Sequence, residues 1–217
     1  MFKGAVFDFD GVVVDSHPAH VRAWEKFLDS VGRTVSEEQL QVVLDGRKRE
    51  DILHHFMGDL STEQVIEYGH QKEQFFRDEV AHVRTVDGLL SFLEELEGEH
   101  LALAIASSGS RSRVEFLLDK LDLTKRFRVV VTGDEVEQGK PYPAIFVKAA
   151  QQLGVDSSQL MAFEDAPSGV IAAKAAGMLC VGIAQPDRAS SLLDAGAIHV
   201  VPDFRSLSYS KLQELFV

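Results

Sequence analysis

The sequence predicts an α/β fold, a doubly wound parallel sheet with a small α-helical cap inserted after the first strand. Two patterns carry this. From Leu101 onward, short apolar runs without polar alternation are separated by amphipathic stretches of helical length, as in a parallel sheet covered on both faces. An earlier run, Gly4-Ala-Val-Phe7, stands apart, and the apolar residues that follow it fall three and four apart.

In chain order, the first strand is residues 4–7. Val21, Trp24, Phe27, Leu28 and Val31 then mark one helix, Ile52, Leu53 and Phe56 another, and the stretch from Ser61 to Val80 continues the spacing, so residues 16–86 form the insertion. Asp15 and Ser16 shape the hinge into it. After Asp87 the elements alternate: a helix to about Glu97, a strand at 101–106, a helix at 110–121, a strand at 128–131, a helix at 141–153, a strand at 160–164, a helix at 166–176 and a strand at 179–184. The division is 1–15 with 87–217 for the core and 16–86 for the cap.

Composition excludes several classes. Of 217 residues 45% are hydrophobic, and the net charge is −12. Too much of the chain is apolar for disorder, and no basic cluster offers itself to nucleic acid or to anionic lipid. The longest apolar runs, 101–106 and 178–184, fall well short of the roughly 20 residues of a membrane span. Lys3, Asp8, Asp10 and Asp15 interrupt the apolar centre that a secretory signal needs, so a cytoplasmic protein is expected. The single cysteine, Cys180, excludes an intrachain disulfide and a Cys-based zinc site, and it is expected as an inert core residue.

A doubly wound sheet binds ligands beyond the carboxyl ends of its strands, and four of those ends are chemically loaded. The first reads Asp8-Phe9-Asp10-Gly11, with two carboxylates on one side of the strand and a glycine for the sharp exit. The second reads Ser107-Ser108-Gly109-Ser110, hydroxyls and helix amides suited to a phosphate oxygen. The third offers Gly139-Lys140-Pro141, where Pro141 at a first helical position would fix Lys140 at the helix entrance. The fourth ends in Glu164-Asp165.

Those four motifs in that order resemble the haloacid dehalogenase superfamily, and within it the phosphatases and phosphomutases similar to β-phosphoglucomutase. The resemblance covers essentially the whole chain, the insertion included. It implies Asp8 as nucleophile, Asp10 as general acid and base, and Ser107 and Lys140 as phosphate holders. It further implies a metal site of Asp8, the backbone carbonyl of Asp10, Glu164 and Asp165. Hard oxygen ligands without Cys or His select Mg2+ over zinc. A carboxylate nucleophile splits one hard displacement into two easier ones, and a neighbouring carboxyl that changes roles between them serves both steps. Once a phosphate dianion enters, negative charge still exceeds positive charge, which leaves work for amide donors and for Arg49 or Arg111.

In the cap, the resemblance makes His20 and Arg49 substrate-binding residues and offers Lys72 as a third match, whereas its neighbours Gln71 and Glu73 read it as part of a solvated helix face. The loop after the second strand departs from the mutases, which read Ser-Ala-Ser-Lys-Asn where this chain reads Ser107-Ser108-Gly109-Ser110-Arg111. Arg111 is the replacement available there for the second phosphate, Ser108 is a further substrate-binding candidate of the same loop, and phosphatase therefore ranks ahead of mutase. The expected protein is a monomer acting on a small phosphorylated metabolite. A haloacid dehalogenase is disfavoured, because Asp10 and the Glu164-Asp165 metal end are both present. A non-catalytic phosphometabolite-binding protein is the reading from another class, and the intact Asp8, Asp10, Lys140 and Asp165 speak against it.

Overall fold

In the computed structural model, which describes residues 2–216, β1 (Gly4–Phe7) lies inside a six-stranded parallel sheet. Its neighbours are β4 (Ala102–Ser107) and β6 (Leu160–Glu164), in registers that pair Phe7 with Ile105 and with Phe163. β5 (Val129–Thr132) lies outside β4, while β7 (Leu179–Ile183) and β8 (His199–Val201) extend the sheet on the other side. The chain therefore winds away from β1 in one direction through β4 and β5, and in the other through β6 to β8. The reversal falls beside β1, where a doubly wound sheet leaves a crevice at its carboxyl edge.

Side chains alternate across the sheet as the pleat demands. Ala5, Phe7, Ile105, Met161 and Phe163 enter one core, where the Phe7 and Phe163 rings stack with centroids 4.7 Å apart. Val6, Ala104, Ala106, Leu160, Ala162 and the buried Cys180 enter the core on the other face. Helices α5 (Leu89–Gly98), α6 (Arg111–Lys120) and α10 (Tyr209–Leu215) bury their apolar residues in the first core. Helices α7 (Ala144–Leu153), α8 (Pro167–Ala175) and α9 (Pro186–Ala195) bury theirs in the second.

Between β1 and β4 lie α1 (His17–Ser30), α2 (Glu37–Leu40), α3 (Arg49–Met57) and α4 (Thr62–Glu79). They have a hydrophobic cluster of their own, built on Trp24, Phe27, Leu28, Leu40, Ile52 and Leu53. The two passages into and out of this helical region pair as an antiparallel ribbon, β2 (Val14–Asp15) with β3 (Arg84–Thr85).

The predicted strand bounds hold to within a residue. One prediction is corrected: α7 starts at Ala144 and not at Pro141, with Pro143 at the N-cap and a cis peptide between Lys140 and Pro141. Lys140 thus belongs to the loop that precedes the helix. The ribbon and everything after residue 184 were not assigned from the sequence, and the outer ends of the predicted core, Met1 and Val217, lie outside the described residues. Among the described residues no helix is long and apolar enough to cross a membrane.

Candidate active site

Beyond β1 the Asp8 amide donates to the Phe163 carbonyl at 2.9 Å, continuing the sheet one residue further. Gly11 then turns the chain with φ at 78° and closes the loop through its amide to the Val14 carbonyl at 2.7 Å. Asp8 and Asp10 line one pocket with Asp165 and Ser108 from the other strand ends, and with His20, Arg49 and Lys72 from the helices above.

Beneath Asp8, the wholly buried ammonium of Lys140 donates to Asp8 Oδ1, to the Ala106 carbonyl at 3.1 Å and to Glu164 Oε1 at 2.6 Å. Burial first, and then the negative charges of Glu164, Asp165 and Asp10, push the Asp8 carboxyl well above the usual carboxylate range, against the pull of Lys140. Burial alone would lower Lys140, but the Asp8 and Glu164 carboxylates raise it above its ordinary value, so it stays charged.

Glu164 differs from its predicted place at the metal. One oxygen takes Lys140, and the other accepts the amides of Asp165 and Ala166 at 2.8 and 2.9 Å. Its side chain is spent on fixing the lysine. Asp165 is different, because its buried Oδ2 has no aligned hydrogen-bond donor, although His17 Nε2 lies 3.0 Å away as an ion-pair partner. Burial alone would lower His17, yet Asp165 raises it.

An orphaned carboxylate oxygen beside the crowded Asp8 fits a hard divalent cation. Among the described residues no three acidic, His or Cys side chains converge to hold one. Asp8 and Asp165 are the carboxylates the pocket offers to such an ion, and so sparse a set suits one that keeps part of its hydration shell.

Asp10 is tied from both sides of the pocket. Its Oδ1 accepts from Ser16 Oγ at 2.6 Å, Arg113 Nη1 at 2.7 Å and His20 Nε2 at 3.1 Å, and its Oδ2 accepts from Arg113 Nη2 at 2.5 Å. Burial would raise its carboxyl, but the Arg113 guanidinium and then His20 hold it well below the usual range. His20 stacks on Phe76 and receives a hydrogen bond on Nδ1 from Lys72 Nζ at 3.0 Å. Burial, and next the Lys72 charge, lower His20 to about 3, so the ring is neutral. Lys72 is itself buried, over the Trp24 and Phe76 rings, and burial brings it down to about 7. The solvated helix face expected for Lys72 is thus corrected.

Three further predicted residues are placed differently from expectation. Ser107 is fully buried and accepts the Gly109 amide at 3.1 Å, so it shapes the loop below the pocket. Ser108 lines the pocket, but its hydroxyl donates to the Gly46 carbonyl at 2.7 Å, joining the loop to the helical region. Arg111 points away: it pairs with Glu115 at 2.9 Å and with Glu135, and donates to the Val130 carbonyl. Arg49 lines the pocket against Gly69, with its buried Nε unpartnered.

A carboxylate held on a buried lysine at the switch point of a doubly wound sheet, with a second carboxylate two residues on, defines an enzyme of the phosphohydrolase or phosphomutase type. The chain belongs to the haloacid dehalogenase-like hydrolase family, whose pattern matches residues 5–183. It is 30% identical over 213 residues to a phosphorylated carbohydrates phosphatase of Thermotoga maritima, covering 92% of this chain and 94% of that one. It is 30% identical over 192 residues to a β-phosphoglucomutase of Bacillus subtilis, covering 84% of each. In fold it matches a β-phosphoglucomutase crystal structure from Clostridium difficile at a TM-score of 0.89 and 22% identity, over 100% of this chain and 97% of that one.

Proposed function

We propose that the protein is a Mg2+-dependent phosphatase of small sugar or related metabolite phosphates, working through an aspartyl phosphate on Asp8. The observation that carries this is the pairing of Asp8 with buried Lys140 in one pocket with Asp10. An Asp8 oxygen attacks phosphorus and the bond to the leaving oxygen breaks, while Asp10, protonated in the substrate complex although Arg113 and His20 keep it ionised in the free protein, protonates that oxygen. Water then attacks phosphorus as Asp10 takes its proton, and the phosphorus bond to Asp8 breaks. Lys140 holds Asp8 in line and offsets the charge that gathers on the transferring oxygens. Asp8, Asp165 and the Asp10 carbonyl are the groups we assign to Mg2+, which when bound neutralises phosphate charge.

Residues 16–86 are read as a cap that excludes bulk water and presents Arg49, His20 and Lys72 to the substrate. Phosphatase is favoured over mutase because Arg111, the cation expected for a second phosphate, is committed to Glu115 and Glu135 outside the pocket. The relatives named as a carbohydrate phosphatase and a phosphoglucomutase support a phosphorylated sugar as substrate.

The test is to replace Asp8 with Asn. Turnover of p-nitrophenyl phosphate and of a sugar-phosphate panel should fall by about 10³-fold or more, and phosphate trapped on the wild-type chain should map to Asp8 by mass spectrometry. A folded Asp8→Asn protein that keeps a tenth of the activity sinks the mechanism. Conversion of β-glucose 1-phosphate to glucose 6-phosphate faster than release of phosphate would reverse the ranking.

A further inference from the structure

Arg113, which the sequence reading passed over, has an environment that invites a function. It is 5% exposed on α6, facing Asp10 on one side and the Phe76 ring of α4, 5.3 Å away, on the other. A guanidinium is costly to take so far out of water, and the pair it makes with Asp10 repays that cost only through close, well-aligned contacts. Its geometry is specific: Nη1 to Asp10 Oδ1 at 2.7 Å and Nη2 to Oδ2 at 2.5 Å, a planar fork that fixes the rotation of the carboxylate. Ser16 and His20 both bind Oδ1, so among the described residues Arg113 supplies the one donor to Oδ2. Without it Oδ2 has no donor, and the carboxylate can pivot about the Oδ1 that Ser16 and His20 hold. The loop is cut to fit as well, since a Cβ on Gly109 would collide with Arg113 Nη2.

We propose that Arg113 is a positioning residue for the phosphotransfer reaction, its fork aiming the Asp10 carboxylate into the pocket, and that Gly109 lacks a side chain to admit that guanidinium. The proposal rests on the reading of Asp8 as nucleophile and Asp10 as acid and base. Arg113 acts through Asp10, because the donor face of its fork is already used there.

p-Nitrophenyl phosphate separates the two half-reactions. Its leaving group departs as a stable anion, so phosphate transfer to Asp8 needs little help from Asp10, whereas attack of water on the aspartyl phosphate needs Asp10 to take a proton. In Arg113→Met and Gly109→Ala, measured with Mg2+ by stopped flow, kcat should drop roughly tenfold or more, while kcat/KM for this substrate stays within about threefold. A burst of about one p-nitrophenolate per enzyme should precede the slow phase, and phosphate should accumulate on Asp8. For a sugar phosphate, whose leaving oxygen must be protonated, kcat/KM should fall too. Burst amplitude counts competent sites, so misfolding would lower the amplitude and leave the rate constant alone. Gly109→Ala carries the test if Arg113→Met does not fold.

Unchanged kcat in a folded variant, or equal losses of kcat and kcat/KM on p-nitrophenyl phosphate, overturns the proposal, the latter because Arg113 would then act in the first step. Absence of phosphate on Asp8 in the wild type as well would instead overturn the aspartyl-phosphate reading beneath it.

Discussion

Lys140 Nζ lies 2.6 Å from Glu164 Oε1, and the same ammonium donates to Asp8. Glu164 thereby acts through the lysine on Asp8, the nucleophile we propose, while the neighbouring Asp165 keeps a buried oxygen without a donor. The two adjacent carboxylates should therefore respond differently to mutation. Asp165→Ala should abolish activity or raise the Mg2+ concentration for half activation by an order of magnitude or more, and EDTA should silence the wild type. Glu164→Gln should lower kcat and leave the Mg2+ requirement within about threefold of wild type. A Mg2+ titration of both variants checks this; equal shifts in the two would return Glu164 to the metal.

The Glu164 side chain also lies where a residue larger than glycine would sit on α8. A Cβ at Gly169 would fall inside the Glu164 carboxylate, and the neighbourhood is fully buried. Gly169→Ala should cost about 1–3 kcal/mol in a denaturant-unfolding measurement, as overpacking does. It should lower kcat as well, because Glu164 can move only by leaving Lys140. A variant of wild-type stability and wild-type kcat would show that the helix shifts to absorb the methyl group.

The two candidate phosphate-binding arginines should separate on function. Arg111 is spent on Glu115 and Glu135 at the surface, so Arg111→Ala should change kcat/KM by less than about threefold and stability by about 0–1 kcal/mol. Arg49, with a buried and unpartnered Nε in the pocket, should matter for a sugar phosphate: Arg49→Ala should lower kcat/KM by about 1.5–3 kcal/mol there, and far less for p-nitrophenyl phosphate. Steady-state kinetics on both substrates decide; equal losses would put Arg49 at the transferring phosphate.

The sheet and the strand-end carboxylates were legible because they depend on local pattern. The runs at 4–7 and 160–164 are apolar throughout, as a strand covered on both faces must be, and the acidic residues follow directly. What was misread depends on helix phase. Arg113 belongs to the buried stripe with Val114, Leu117 and Leu118, whereas Arg111, two positions earlier and so roughly 200° around the helix, faces out. Lys72 belongs in the same way with Gly69, Phe76 and Glu79 along α4, although its chain neighbours are polar. In both helices a charged residue in register with the apolar stripe was the available signal. The role of Glu164 had no such signal, since a Glu-Asp pair at a strand end reads alike whether its first oxygen meets a metal or a lysine.

Lys72 gives a prediction in which the sign is decisive. Burial brings it down to about 7 from the usual 10.5; Glu73 and Asp10 oppose the shift, while Arg113 and Arg49 reinforce it. Between those two pH values the unfolded chain holds a proton on Lys72 that the folded chain lacks, so stability rises with pH across the window. Wild type should accordingly lose stability as pH falls from about 10.5 to about 7, with no further loss from this residue below that. Lys72→Met keeps the packing over Trp24 and Phe76 without an ionisable group. The Tm of Lys72→Met minus that of wild type should be most positive near pH 6–7 and should shrink steadily toward pH 10. Subtracting wild type removes titrations common to both proteins. A difference that stays flat across that range, or grows toward high pH, would mean that Lys72 keeps its charge in the fold, and that its hydrogen bond to His20 is made by an ordinary ammonium.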